Sequence, residues 1–152
     1  MADSFLGKPS IAMPQLTLVS LQSRLVAALQ DHDEILEAYL FGSQATGQAQ
    51  AHSDIDVAVF IAPDHPIDRG FGYQAELTAT LMTAMHTNAI DVVILNRAPP
   101  LLYHRVLAYG IRLLSRDLAA TTTREGRAMS RYCDYLPQLA KIEAAYRVAR
   151  TS

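Results

Sequence analysis

Tyr39-Leu40-Phe41-Gly42-Ser43-Gln44-Ala45-Thr46-Gly47, followed by Ser53-Asp54-Ile55-Asp56-Val57-Ala58-Val59-Phe60, is the stretch that decides the fold. A strand-like apolar run stops at a Gly-Ser turn, and a second such run opens with two aspartates two residues apart. Strand side chains alternate between faces, so Asp54 and Asp56 point the same way. Ile55, Val57, Val59 and Ile61 take the opposite face, an apolar stripe that requires a core. Two carboxylates ~5 Å apart repel by about 3 kcal/mol at an effective dielectric near 20. A cation between them removes that cost, and hard oxygen ligands of this kind suit Mg²⁺, which takes one or two carboxylates plus substrate phosphates. The plainer reading has Gly42 only breaking a strand and Asp54 capping a helix. That reading leaves Asp56 inside an apolar strand without a partner.

Outward from this stretch, hydrophobic spacing predicts strands surrounded by helices. Leu18, Leu21, Leu25 and Leu29 mark an amphipathic helix over about Thr17–Gln30. Ile35–Phe41, Asp54–Ile61 and Asn88–Leu95 read as three strands. Gln44–Ser53 reads as a short helical turn and loop. Ala62–Gly72, with Pro63, Pro66, Gly70 and Gly72, reads as a longer loop. Leu77, Leu81 and Met85 stripe a helix over Tyr73–His86. Pro99-Pro100 opens another that Gly110 closes, and Ile111–Leu114 fits an edge strand. Thr122 with Glu125 is a capping-box pattern for a final helix running to about Arg150. That helix carries Met129, Tyr132, Leu136, Leu139 and Ile142 on one side, and Pro137 is expected to kink it. The expected class is α+β: a small mixed sheet flanked by helices, ending in a long helix. Residues 1–15 read as a flexible arm and 16–152 as one domain.

A chain of 152 residues fits one domain. It is long enough for a self-sufficient core, burying about 70% of its unfolded surface. Half the residues are hydrophobic, 18% are charged and the net charge is −2. That balance lacks the clustered cations needed to neutralise phosphate backbones, so no direct nucleic-acid partner is expected. Cys133 is the one cysteine, which excludes an internal disulfide, fits a reducing cytoplasm and reads as a helix-face residue. No apolar run reaches the length of a membrane span, so no membrane partner is expected. Near the start Lys8 stands alone and Pro9 and Pro14 interrupt the apolar residues, so no signal peptide is expected. His32, His52, His65, His86 and His104 show no paired metal-ligand spacing, and His52 reads as a loop residue.

Gly42-Ser43, ten residues, then Asp54-x-Asp56 resembles the signature of the nucleotidyltransferase (DNA polymerase β-like) superfamily, and the spacing matches without a gap. The resemblance covers roughly Ile35 to Leu95. It implies a nucleotidyltransferase fold in which Gly42 and Ser43 hold the nucleoside triphosphate and Asp54 and Asp56 hold Mg²⁺. It also implies a third carboxylate from a later strand, which completes the metal site and helps deprotonate the attacking hydroxyl. Asp91, the second residue of Ile90–Leu95, matches that position. If its strand neighbours the Asp56 strand, the three carboxylates converge; the other reading is an edge-strand aspartate facing water. One departure stands out. Related small enzymes often carry Arg or Lys where this chain has Thr46, and a missing cation there weakens triphosphate binding.

Larger superfamily members carry extra helical domains, for which this chain has no room. It is therefore similar to the minimal nucleotidyltransferase antitoxins of HEPN/MNT toxin–antitoxin systems. That likeness implies AMP transfer from ATP to a tyrosine of a HEPN ribonuclease toxin, with stable binding of the toxin. A transferase acting on a small hydroxylated molecule such as an aminoglycoside, and a binding antitoxin without catalysis, are the alternatives. Met129, Tyr132, Tyr135, Leu136 and Leu139 are the residues expected to form an exposed patch that a partner buries.

Overall fold

The computed structural model describes residues 17–50, 53–66 and 72–151. The expected arm over residues 1–15, His52 and part of the Ala62–Gly72 loop lie outside the described residues. Helix α1 spans Leu18–Leu29 and buries Leu21, Leu25 and Leu29. Thr17 caps it, its Oγ1 accepting a hydrogen bond from the Ser20 amide at 3.2 Å. The sheet contains β1 (Ile35–Phe41), β2 (Ile55–Ile61), β3 (Ile90–Ile94) and β4 (Ile111–Ser115), in spatial order β3-β2-β1-β4. Strand β1 is antiparallel to both β2 and β4, whereas β2 and β3 are parallel. A parallel pair needs a crossover rather than a hairpin. The one-turn helix α2 (Ser43–Thr46) lies between β1 and β2, and α3 (Gly72–Met85) makes the crossover from β2 to β3. Helix α4 (Pro100–Tyr109) precedes β4, and α5 (Leu118–Thr151), 34 residues long, follows it.

Alternation along the strands divides the core in two. Ala38 and Leu40 of β1, with Val57, Val59 and Ile61 of β2 and Ile90, Val92 and Ile94 of β3, bury one face of the sheet against α1 and α3. A register shift between Ile35 and Glu37 brings Ile35 onto this same face despite its odd number. Tyr39, Ala58 and Leu95 bury the other face against Tyr103 and Val106 of α4 and Ala128 of α5. The small mixed sheet and the long last helix are those expected from the sequence.

The start of α5 differs from expectation. The capping-box reading of Thr122 and Glu125 is wrong, because the helix already begins at Leu118. Asp117 supplies the cap, its Oδ1 accepting from the Ala120 amide at 3.2 Å. Thr122 lies inside the first turns and donates to the Leu118 carbonyl at 2.7 Å. Pro137 falls within α5 without ending it.

The apolar side of α5 is divided between its own domain and solvent. Met129 and Leu136, expected in an exposed patch, are each 40% exposed, and Ile142 is 46% exposed. The seam with the domain runs through Thr121, Ala128 and Tyr132; Tyr132, expected in the exposed patch, stacks its ring on His104 of α4 with centroids 3.7 Å apart. Beneath its first turns lies a buried ion network. Glu37 of β1 is fully buried and pairs with Arg124, whose guanidinium also lies 4.8 Å from the Phe60 ring centroid. The Tyr39 hydroxyl donates to Glu125 at 2.9 Å, and Arg112 of β4 donates to the same carboxylate at 2.7 Å. Burial raises the Glu37 carboxyl above its ordinary value, and the hydrogen bond and charge of Arg124 work against that rise. Period-two reading of Ile35–Phe41 gave no sign that its glutamate would be buried, because the partner lies 87 residues away.

Candidate active site

The site forms where β1 ends and where β2 and β3 begin. Gly42 follows β1 with φ at +72°. An added Cβ would lie 2.2 Å from Oδ2 of Asp56, so any side chain at this position collides with the carboxylate. The contact follows from register: Phe41 pairs with Asp56 across the antiparallel ladder, which puts the next residue over the Asp56 side chain. The sequence suggested glycine for close approach to a phosphate. That it is also the wall of an acidic site depends on pairing and has no local signal.

Helix α2 starts at Ser43 immediately after this turn, and its first amides have no intrahelical acceptors. Ser43 is partly buried, and its hydroxyl makes no hydrogen bond among the described residues. Gly47, at φ +76°, closes the turn in the left-handed conformation. Gln44 donates to the Ser53 carbonyl at 3.4 Å, and the Ser53 hydroxyl accepts from the Gln50 amide at 2.7 Å, tying the loop back towards β2. The Thr46 hydroxyl turns back onto its own turn, 3.4 Å from the carbonyls of both Gly42 and Ser43. No Lys or Arg occurs between Arg24 and Arg69 in the chain.

Asp54 is exposed one residue before β2, so the strand starts slightly later than expected. Asp56, the second residue of β2, is partly buried and stands in register with Asp91, the second residue of β3. The amide of Ile55 donates to the Ala89 carbonyl at 2.8 Å and locks the two strand starts together. Both expected features of Asp91 are present. It is exposed on an edge strand, and it also faces the same way as Asp56. Burial is the main cause that lifts the Asp56 carboxyl above its usual value, and the negative charges of Asp91 and then Asp54 lift it further. All five candidate residues, Gly42, Ser43, Asp54, Asp56 and Asp91, therefore meet at one end of the sheet.

The donor set has the character of a Mg²⁺ site. Among the described residues, no group of three Asp, Glu, His or Cys side chains is close enough to hold a metal unaided. Mg²⁺ does not require such a cage, since it commonly takes one or two carboxylates and completes its octahedron with water and substrate phosphate. A broad concavity of about 680 Å³ lies elsewhere, over Thr123, Gly126, Arg127, Ser130 and Arg131 on α5. It is an open shelf above the side-chain-free Gly126 and contains none of the acids.

A fold with antiparallel β1/β2, parallel β2/β3 and paired strand-start acids beside a glycine turn defines the class. The polymerase β nucleotidyltransferase family model matches residues 23–119. The chain belongs to that family. Among solved structures, it resembles a chain of a toxin–antitoxin complex crystallised with AMP-PNP, with TM-score 0.68 and 24% identity over 82% of this chain and 98% of that one. It also resembles a chain of the Shewanella oneidensis complex between a tri-AMPylated HEPN toxin and its MNT antitoxin, with TM-score 0.66 and 22% identity over 86% and 99% of the two chains. A mutant MntA–HepT toxin–antitoxin complex contributes a third such chain, with TM-score 0.65 and 25% identity over 82% and 97%. No curated protein matches the chain in sequence. The likeness to minimal nucleotidyltransferases is thus borne out at the level of family and fold. No helix among the described residues is long and apolar enough to cross a membrane.

Proposed function

We propose that this chain is a Mg²⁺-dependent protein adenylyltransferase and antitoxin of the cytoplasm. It transfers AMP from ATP to a tyrosine hydroxyl of a HEPN-type ribonuclease toxin that it binds, and so neutralises the toxin. The observation that carries the reading is the in-register pair Asp56–Asp91 with Gly42 closed over Asp56. Structural likeness to chains of toxin–antitoxin complexes, one with AMP-PNP and one with an AMPylated toxin, supports the choice of nucleotide and partner.

In this reading Asp54, Asp56 and Asp91 would hold the metal jointly with substrate phosphates and water, because the three carboxylates do not form a metal cage by themselves. Bound Mg²⁺ supplies charge neutralisation at the phosphates. Ser43 donates a hydrogen bond to a phosphate oxygen, and the bare Cα of Gly42 lets the backbone approach the triphosphate. The acceptor hydroxyl attacks the α-phosphorus in line. Its proton passes to the Asp91 carboxylate, the bond to the bridging oxygen breaks, and pyrophosphate leaves. Such chemistry is largely positioning and charge stabilisation, which a rigid sheet end is suited to provide.

Thr46 favours a second reading, a binding antitoxin without catalysis, because its hydroxyl is turned back to the Gly42 and Ser43 carbonyls and brings no positive charge to the turn. Co-expression with the HEPN toxin, followed by intact-mass measurement of the toxin, separates the two. A toxin carrying AMP on tyrosine supports transfer. A toxin bound and inhibited without added mass overturns it in favour of the second reading.

A further inference from the structure

We infer that the distal half of α5 is a helix-pairing surface for an acidic, amphipathic helix of another protein. The inference rests on the reading that the chain works bound to a helical partner, and it adds the location and chemistry of the contact.

Helix α5 packs on its own domain through Ala128 and Tyr132, which face α4 at Tyr103, Val106 and His104. Ala128 and Tyr132 begin a strict alternation of four- and three-residue steps that continues through Tyr135, Leu139, Ile142 and Tyr146. This is the seam of two helices lying side by side. The domain uses only its first part. Ala128 is 2% exposed, whereas Ile142 is 46% and Tyr146 69% exposed. Leu136, beside the seam, is 40% exposed. An interface that already exists within the molecule therefore runs on, with the same spacing, past the end of its intramolecular partner. A helix laid along it continues the packing that α4 provides earlier.

Charge selects the occupant. Helix α5 carries six cations, Arg124, Arg127, Arg131, Lys141, Arg147 and Arg150, against Glu125, Asp134 and Glu143. It is thus +3 in a chain whose net charge is −2. Arg124 is already matched by Glu37, and Glu125 by Arg112, so the excess belongs to the remaining, outward cations. A second copy of this chain would set one +3 helix against another. A helix with acidic flanks meets the same face with opposite charge, which favours both encounter and register.

The test uses the full chain and two synthetic amphipathic helices about four heptads long with leucine at the seam positions, one flanked by Glu and one by Lys. In fluorescence-anisotropy titrations the Glu-flanked helix is expected to bind at least about tenfold more tightly, with the advantage shrinking as salt is raised. Ile142→Glu combined with Tyr146→Glu is expected to abolish binding and leave the melting temperature unchanged, because both side chains are exposed. Equal binding of the two helices, or binding retained by the variant, overturns the proposal. So does a lower melting temperature in the variant, which means that the face packs on its own domain. A dimer in sedimentation that the variant dissolves assigns the face to a second copy and also overturns it. The variant also separates this inference from the transferase reading. A toxin that gains AMP and binds the variant undiminished sinks the helix-pairing proposal alone. A toxin that requires Ile142 and Tyr146 for binding yet never gains AMP sinks the transferase reading alone.

Discussion

Glu37 and Asp56 lie on the same face of the same sheet, yet their surroundings are opposite. At Glu37 a carboxylate is fully buried beneath α5 and answered by Arg124, with Tyr39, Glu125 and Arg112 completing a hydrogen-bonded layer. At Asp56 the charges of Asp91 and Asp54 add to the burial of the carboxyl, and no ion pair among the described residues reaches it. The first arrangement is closed and balanced, so it serves to dock a helix. The second is open and unbalanced, so it has capacity for a ligand of opposite charge. A protein that only needed to fold would gain by relieving the repulsion at Asp56, whereas removing one partner at Glu37 would leave a buried charge alone.

The largest effect that distinguishes the two regions is on transfer. On the proposed transferase reading, in which these two aspartates hold the metal, Asp54→Ala with Asp56→Ala is expected to lower AMP transfer to a toxin by about a thousandfold or more. Its melting temperature is expected to hold or rise. Transfer at wild-type rate in the double variant, measured by toxin mass against time, would end the catalytic reading of this sheet end.

At the other region the large effect is on stability. Arg124→Met leaves Glu37 buried and unpaired, and breaking such a pair typically costs about 3–5 kcal/mol. Burial already raises the Glu37 carboxyl, so its folded value exceeds its unfolded one. The protonated form therefore favours folding, and that contribution is lost as pH rises through the folded value. The variant should consequently be least stable at neutral pH and recover part of the loss under mild acid. Denaturant melts across pH check this, and a loss that stays constant with pH would mean that the ion pair is not its source. Glu37→Leu combined with Arg124→Met is expected to recover most of the single variant's loss.

Asp56→Asn is expected to act in the opposite direction. The Asp56 carboxyl is also raised, so its ionisation opposes folding above its unfolded value. Without metal, the variant is expected to melt roughly 2–4 °C higher at neutral pH, a figure kept small by solvent screening. The gain should vanish under acid, where the native carboxyl is protonated in both states. A variant less stable than the parent at pH 7 would show that Asp56 is held by a favourable contact. The smallest effect expected is at Thr46. Thr46→Arg puts a cation at the turn and should lower the apparent KM for ATP by about threefold to tenfold through charge-assisted contacts with phosphate. An unchanged KM and kcat would show that the turn does not need one.

How much was legible in advance follows the range of the interactions. The strands Ile35–Phe41 and Ile55–Ile61, the helix stripes at Leu21–Leu25–Leu29 and Leu77–Leu81–Met85, and the Pro100 and Gly110 boundaries were readable from the chain. Each depends on the period of a helix or strand, or on a residue's own backbone preference, over a few neighbours. The Gly-Ser turn and the acids were likewise legible as a motif. The start of α5 was not, because Thr122 and Glu125 satisfy a local capping pattern that lost to Asp117 five residues earlier.

The sequence alone determined the local periods, the residues of the turn and the residues able to carry charge. Tertiary structure alone decided which of those residues meet. The Asp56–Asp91 pair exists because β3 crosses back parallel to β2, and Gly42 walls the site because Phe41 pairs with Asp56. Likewise, Glu37 is buried because a helix more than 80 residues later brings Arg124 over it. The cost of placing a charge out of water is set by whatever the folded chain puts beside it, and no window of neighbouring residues contains that information.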